Sequence, residues 1–238
     1  MSTHSLIWLG HGTFLLRHAN GTNIMFDPWI NENPSYPSNF ILPKIDLILV
    51  THGHFDHISS TPALCKQQEN NPKVVCIFEL CTWLKNKGVQ KCIPMNKGGT
   101  IKEFGIEITM VHADHSCGIT EDDGSISYGG EAVGFVVTLD ESSVLYFAGD
   151  TNVFESMKII SELYKPNIAC LPIGDRFTMG PREAKKALEL LDIKTLIPMH
   201  FGTFPDLTGT PEEMIKTLKD TGVQVVTPIC GDVIILGN

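Results

Sequence analysis

The chain has no apolar run approaching the roughly 20 residues that a membrane helix needs. It also lacks a basic excess: 18 lysines and arginines stand against 27 aspartates and glutamates, a formal charge of −9. That balance excludes a broad nucleic-acid footprint, which requires clustered positive charge. There is no C-x-x-C pair. The seven cysteines, Cys65, Cys76, Cys81, Cys92, Cys117, Cys170 and Cys230, are odd in number and scattered, and read as free thiols in a reducing compartment. No G-x-S-x-G nucleophile elbow, phosphate-binding loop or low-complexity segment is present. The first residues, "MSTHSLIWLG", carry no basic n-region, and the apolar stretch Leu6 to Leu9 is too short for a signal peptide, so the expected location is cytoplasmic.

What is present has the balance of an ordinary globular chain: 238 residues, 42% hydrophobic and 19% charged. This length suits one large domain, residues 1–238, or two tightly fused halves, and no linker divides it. "LIWLG", "TFLLRH" and "TNIMFD" read as short strands, with Asn20-Gly21 as a turn. "IDLILV" is a continuous apolar run of the kind found in a strand buried on both faces. Four more strand-like segments span residues 100–149. After them helices alternate with strands; Pro181 and Pro211 stand in first turns and Thr210 at an N-cap. The order of strands, helices, strands, then alternation occurs twice in outline, as two face-to-face sheets with helices outside both would require. Residues 30–43 form a long Pro/Asn-rich loop ending in Phe40, Ile41 and Leu42, which are expected to cover a pocket or a subunit contact.

The concentrated signal is "ILVTHGHFDHIS", residues 48–59. His52 and His54 are two apart and project the same way from an extended chain; Asp56 and His57 follow as the chain turns. Imidazole and carboxylate donors suit Zn, Mn or Fe, and four in six residues exceed what one metal takes from a rigid turn, which points to two adjacent metals. Further ligand types stand beyond other apolar runs: His115 in "VHADHSCG", Asp150 in "LYFAGD" and His200 in "LIPMH". Ligands collect outside the carboxyl ends of strands in layered α/β folds.

The H-x-H-x-D-H pattern, followed by His, Asp and His in separate strands, resembles the metallo-β-lactamase superfamily. "WLGHGTFLL", "MFDPWI", "THGHFDH", "MNKGGT" and "LPIGDRFTMGPREA" are similar to a branch known only as metal-dependent hydrolases, across nearly the whole chain. The resemblance implies an α/β fold, a four-layer αββα sandwich. It implies two divalent ions, zinc first and manganese or iron otherwise. His52, His54 and His115 would hold the first, Asp56, His57 and His200 the second, and Asp150 would bridge them. His112 competes with His115, but "HSCG" occupies the place of the family's His-Ser pair. Cys117 deserves a check because it stands beside this pair. Asp27 in "FDP" corresponds to a buried aspartate that supports the metal loop. His11 in "LGHGTF" is placed near the site, and Asp175 in "IGDRFTMG" along the substrate pocket.

The expected chemistry is hydrolysis by a metal-bridging hydroxide, with Asp56 taking the water proton and no covalent intermediate. The expected substrate is a small anionic molecule, a phosphodiester or lactone, similar to those of the sugar-phosphate lactonase and phospholipid phosphodiesterase branches. Other expectations are a homo-oligomer, no nucleic acid and no membrane span. Two other readings stand beside it. A metal-dependent oxidoreductase is one, although flavodiiron enzymes place Glu where this chain has His54. A binding module with closed, structural metal sites is the other.

Overall fold

In the computed structural model, residues 3–69, 71–227 and 229–237 are described. The first half of the chain forms β1 (His4–Trp8), β2 (Phe14–Arg17), β3 (Asn23–Phe26), β4 (Leu47–Leu49), α1 (Phe55–Ile58), α2 (Thr61–Gln67), β5 (Lys73–Ile77), α3 (Phe78–Asn86) and β6 (Cys92–Met95). The second half forms β7 (Thr100–Glu103), β8 (Ile106–His112), β9 (Gly118–Thr120), β10 (Ile126–Tyr128), β11 (Val133–Thr138), β12 (Val144–Phe147), α4 (Met157–Tyr164), β13 (Ile168–Pro172), α5 (Pro181–Leu191), β14 (Thr195–Met199), α6 (Pro211–Thr217), β15 (Gln224–Val225) and β16 (Val233–Leu236).

Two seven-stranded sheets result, ordered β16-β1-β2-β3-β4-β5-β6 and β15-β14-β13-β12-β11-β8-β7. Each begins as an antiparallel meander and continues as parallel strands: β1–β3 then β4–β6, and β7, β8, β11, β12 then β13–β15. The outline repeat in the sequence is this repeat of pairing. β16 returns to pair with β1.

Strand periodicity explains the layering. In β12, Leu145 and Phe147 enter the core shared with the first sheet, whereas Tyr146 and the following Ala148 join a second cluster with α4, α5 and α6 residues Met157, Ala184, Leu188 and Met214. β13 divides in the same way: Ile168 and Cys170 inward, Ala169 and Leu171 toward the helices. Such strands are apolar on both faces, which is why their segments read as continuous hydrophobic runs. The first sheet packs α2 and α3 through Leu64, Cys65, Leu80 and Leu84. The result is the four-layer αββα sandwich.

Local signals held in detail. Thr210 accepts a hydrogen bond from the Glu213 N–H at the start of α6, and Pro181 and Pro211 open α5 and α6. Two elements differ from expectation. α4 begins at Met157, later than "VFESMK" implied. A small β9–β10 hairpin follows His115, turning at Gly124 (φ +82°); its strands are only three residues each, too short for a periodic signal. The loop at 30–43 does not cover the cavity described below. Phe40 and Leu42 pack partly against the main core, and Ile41 is 88% exposed. Among the described residues no helix is long and apolar enough to cross a membrane.

Phe147 joins the sheets, stacking on Phe26 at 4.4 Å and meeting Phe14 edge-on at 5.8 Å. Truncating such a ring loses its burial and leaves a cavity. Phe147→Ala is expected to lower stability by about 3–5 kcal/mol in urea unfolding; a loss under about 1 kcal/mol would mean that the sheets close over the gap.

Candidate metal centre

β1, β3, β4, β8, β12 and β14 each end on a residue of one cluster. β1 leads to His11, β3 to Asp27, β4 to His52 and His54, β8 to His115, β12 to Asp150 and β14 to His200, while α1 carries Asp56 and His57. Within each sheet these strands run in the same direction, so their carboxyl ends share one edge. Two glycines permit the approach. A Cβ on Gly149 (φ +62°) would lie 2.7 Å from Thr51 Cβ, and one on Gly12 would lie 2.7 Å from His57 Cε1. His11, Asp27 and His200 take left-handed φ of 54°, 42° and 55°, conformations that non-glycine residues hold only when surroundings impose them.

Six of the nine histidines meet here, in two groups. His52 Nε2 lies 3.0 Å from His54 Nδ1, which lies 3.3 Å from His115 Nε2. In the other group His57 Nε2 is 4.0 Å and His200 Nε2 3.9 Å from Asp56 Oδ2. Asp150 stands between the groups. Its Oδ2 is 3.9 Å from His52, 3.7 Å from His115 and 3.0 Å from His200, and its Oδ1 is 3.4 Å from His57 Nε2. Donors around a zinc ion with bonds of about 2.0–2.1 Å sit roughly 3.3 Å apart in a tetrahedron, within the range of these separations.

Hydrogen bonding decides which ring nitrogens face inward. Asp27 accepts from the Thr51 N–H at 2.7 Å, from the Thr51 hydroxyl at 2.6 Å and from His57 Nδ1 at 2.8 Å. In the neutral ring this leaves His57 Nε2 bare; without metal the raised ring carries a second proton there, facing Asp150. The Thr51 hydroxyl has spent its one hydrogen on Asp27, so it accepts from His52 Nδ1 at 3.0 Å, and His52 Nε2 is bare as well. His57 Nε2 and Asp150 Oδ1 are buried without hydrogen-bond partners. At 3.4 Å from Asp150 Oδ1, His57 Nε2 needs a cation between them, a proton in the bare chain or a metal ion in its place. The donor set fits a divalent metal on this ground.

The electrostatics agree. Burial pushes the His52, His54 and His115 rings below the ordinary imidazole value, with His57 adding to the effect, so they are neutral donors. His11 is pushed down to about 4, by burial first and then by His200. His57 is the exception: burial lowers it, but Asp150 and Asp56 overcome this and raise it well above the ordinary value. Burial raises the Asp56 and Asp150 carboxyls, yet His57 and His11 hold Asp56 low, and His200 and His57 hold Asp150 low.

His11 lies at the edge of the second group. Its Nε2 is 2.8 Å from Asp56 Oδ2 and its Nδ1 3.0 Å from the Thr203 hydroxyl. A neutral ring serving both donates to Asp56 and accepts from Thr203. A cavity of about 530 Å³ opens over the cluster, lined by His54, Asp56, His115, Asp150 and His200 and rimmed by Phe55, Phe177, Phe204 and Asp206.

The structure does not bring Asp175 to this cavity. Its backbone is left-handed (φ +68°), it is exposed, and its carboxylate accepts from the Arg176 N–H at 2.7 Å within its own turn. The neighbour that reaches the rim is Phe177, half-exposed at 52%. His112 points away, packing on Phe154 at 4.8 Å. The Cys117 thiol is turned to the Gly129 carbonyl at 3.1 Å, and burial pushes it up to about 11. Sequence reading missed Thr51 and Thr203. Thr51 had a signal, standing directly before the first histidine of the motif; Thr203, 192 residues from its partner His11, had none.

The four depressed rings, His11, His52, His54 and His115, fold neutral, whereas an unfolded histidine titrates near 6.5. Below 6.5 the unfolded chain binds more protons, so stability falls as pH drops, by up to about 1.4 kcal/mol per pH unit per ring. The raised His57 has delivered its full contribution by 6.5, the raised Asp27 returns at most one ring's worth as pH falls toward 3.8, and the depressed Asp56 and Asp150 add their loss only below 3.8. Metal-stripped protein is thus expected to lose thermal stability steeply from pH 6.5 toward 4. A flat melting temperature across that range would show that the rings do not fold neutral.

The model of the beta-lactamase superfamily domain matches residues 22–201. A UPF0173 metal-dependent hydrolase of Solibacter usitatus is 50% identical over 220 residues, 92% of this chain and 94% of that protein. One from Koribacter versatilis is 51% identical over 224 residues, 94% and 95% of the two chains. Among solved structures, Igni18, a metallo hydrolase from Ignicoccus hospitalis, superposes with a TM-score of 0.84 at 31% identity, covering 99% of both chains. With its strand-end histidines and aspartates, the chain belongs to the beta-lactamase superfamily, in its group of metal-dependent hydrolases.

Proposed function

We propose that the protein is a binuclear hydrolase of small molecules bearing a lactone or phosphodiester group. The observation that carries this reading is the buried His57–Asp150 pair, set between two groups of nitrogen and oxygen donors. On this reading His52, His54 and His115 would hold one divalent ion and Asp56, His57 and His200 the other, with Asp150 within reach of both. Zinc suits the nitrogen-rich set best, with manganese or iron as alternatives. Bound there, the ions supply Lewis acidity and an ionised water at neutral pH.

The chain's own residues do the rest. Asp56 is the proton acceptor: its carboxylate is kept charged and opens to the cavity. His11, held by Thr203, donates to Asp56 Oδ2 and so fixes the oxygen that faces the cluster. This makes His11 a positioning residue. Asp175 has no part in the reaction. Asp27 orients His57 directly and His52 through Thr51. His54 and His115 are only half-buried, so substrate approaches from their side.

The lining narrows the substrate. It contains no lysine or arginine; Arg176, nearby, is paired with Asp206. Negative charge on a substrate would be met by the ions alone. Phe55, Phe177, Phe204 and Pro205 offer an apolar collar, which suits a substrate whose scissile group carries an apolar or aromatic body. A nucleotide or sugar polyphosphate finds no cationic side chain in this lining. The cytoplasm, as the sequence implies, would be the working compartment.

The test is a panel of lactones, phosphodiesters and thioesters, with and without an aromatic substituent. Turnover is expected to vanish on chelation and return with Zn or Mn. Asp56→Asn should lower kcat by about 10²–10⁴-fold, because the amide cannot take the proton. Equal rates in chelated, reconstituted and Asp56→Asn protein would sink the reading.

Metal content gives an independent check. Asp150→Ala is expected to lower bound metal from two ions per chain toward one or none. Asp27→Asn should keep both sites but weaken them by about 10–100-fold, since its amide fixes neither ring as the carboxylate does. Two tightly held ions in Asp150→Ala, measured by elemental analysis, would assign the shared position to another group.

A further inference from the structure

A second cluster of ligand-type side chains lies where α3 covers β5 and β6 of the first sheet. The thiols of Cys76, Cys81 and Cys92 come within 4.8 Å of one another. β5 and β6 pair in parallel with Val74 opposite Cys92 and Cys76 opposite Pro94. Cys76 is two residues beyond Val74, so Cys76 and Cys92 project from the same face of the sheet. Their sulfurs are 3.8 Å apart. The third thiol descends from α3, whose buried side carries Leu80, Cys81 and Leu84 against this face. Cys76 and Cys81 are buried and Cys92 half-buried, so the group is enclosed yet reachable from one side.

We propose that Cys76, Cys81 and Cys92 form a thiolate site for a thiophilic divalent ion of the zinc class, separate from the histidine–aspartate centre. The sulfur spacing carries the assignment. A Zn–S bond of about 2.3 Å places tetrahedral sulfurs roughly 3.8 Å apart, the separation of Cys76 and Cys92. A disulfide would join two of the three and strand the third in an apolar layer; a metal uses all of them. Charge favours a divalent ion. Three thiolates with Zn²⁺ leave one negative charge, and Lys85, one helical turn beyond Cys81 and close enough to act on it, offsets that charge. Metal entry displaces the thiol protons to solvent. The open side at Cys92 leaves the fourth position to water.

The site is tested with cadmium, whose thiolate complexes absorb in the ultraviolet by sulfur-to-metal charge transfer; imidazole and carboxylate ligands give no such band. Reduced, metal-stripped full-length protein titrated with Cd²⁺ is expected to develop the band and saturate it, at the amplitude of one thiolate-bound ion per chain, within the three equivalents that both centres take. Cys81→Ser and Cys92→Ser should lose the band while binding metal normally at the histidine–aspartate centre. Cys117→Ser, beside His115, should keep it. A second measurement needs no variant: Zn²⁺ should protect Cys92 from alkylation by iodoacetamide at least tenfold. Three results would overturn the proposal: no band in folded, reduced protein; a band that survives the Cys81→Ser/Cys92→Ser double variant; or a Cys76–Cys92 disulfide that persists under reducing buffer with zinc present.

Discussion

The Asp27 carboxylate, wholly removed from solvent, governs the arrangement of the centre. Burial pushes its carboxyl up, and the donors that surround it, His57 and both polar hydrogens of Thr51, push back. That contest has a structural consequence. Every hydrogen the aspartate takes is one that a neighbour can no longer offer inward. His57 turns Nε2 to the cluster because its other nitrogen serves Asp27. His52 does the same because Thr51 has no second hydrogen to give. One carboxylate therefore dictates the tautomers of two rings on a loop whose own sequence contains none of that information.

The fold supplies such a position because of strand direction. β3 and β4 lie side by side and run parallel, so Asp27 and Thr51 leave their strands at the same level. The second sheet presents Asp150 and His200 in the same way from β12 and β14, with β13 between them. Neither sheet holds a complete set of donors. The sandwich core, through contacts such as Phe147 on Phe14 and Phe26, is what holds the two half-sets in register. The left-handed backbone at His11, Asp27 and His200 is stored where these loops converge, at a cost of about 1–3 kcal/mol each that the surrounding packing offsets.

Much of this was legible in the sequence, for identifiable reasons. Strands buried on both faces leave unbroken apolar runs, and donors placed after such runs stand out against them. His52, His54, Asp56, His57, His115, Asp150 and His200 were each visible in that way, and the structure gathers all seven. Turn chemistry was equally readable at Thr210, where cap and proline stand together. Features that depend on distant partners left weaker traces. Asp175 follows an apolar run like the others, but its left-handed turn aims the chain so that Phe177, not the carboxylate, reaches the cavity. Ile41 lies in an apolar trio, yet only its neighbours find the core. The sulfur cluster unites residues from two strands and a helix at spacings of five and eleven, which match no local motif and show only once β6 is paired with β5.

The two donor clusters also bear on the acidic composition. A chain with a formal charge of −9 and a cavity without lysine or arginine has no side-chain means of attracting an anion. Attraction would have to come from ions held by the chain, and two carboxylates already take up part of their charge. The cavity is then only weakly positive even when filled, and selection falls to its shape and its aromatic collar. Segregation of donor types protects this arrangement. Among the described residues no thiol belongs to the nitrogen–oxygen groups and no imidazole to the sulfur group. Thiolates prefer softer cations than imidazole and carboxylate do. Keeping the thiols beneath α3 and the imidazoles at the strand ends lets each set select its own ion.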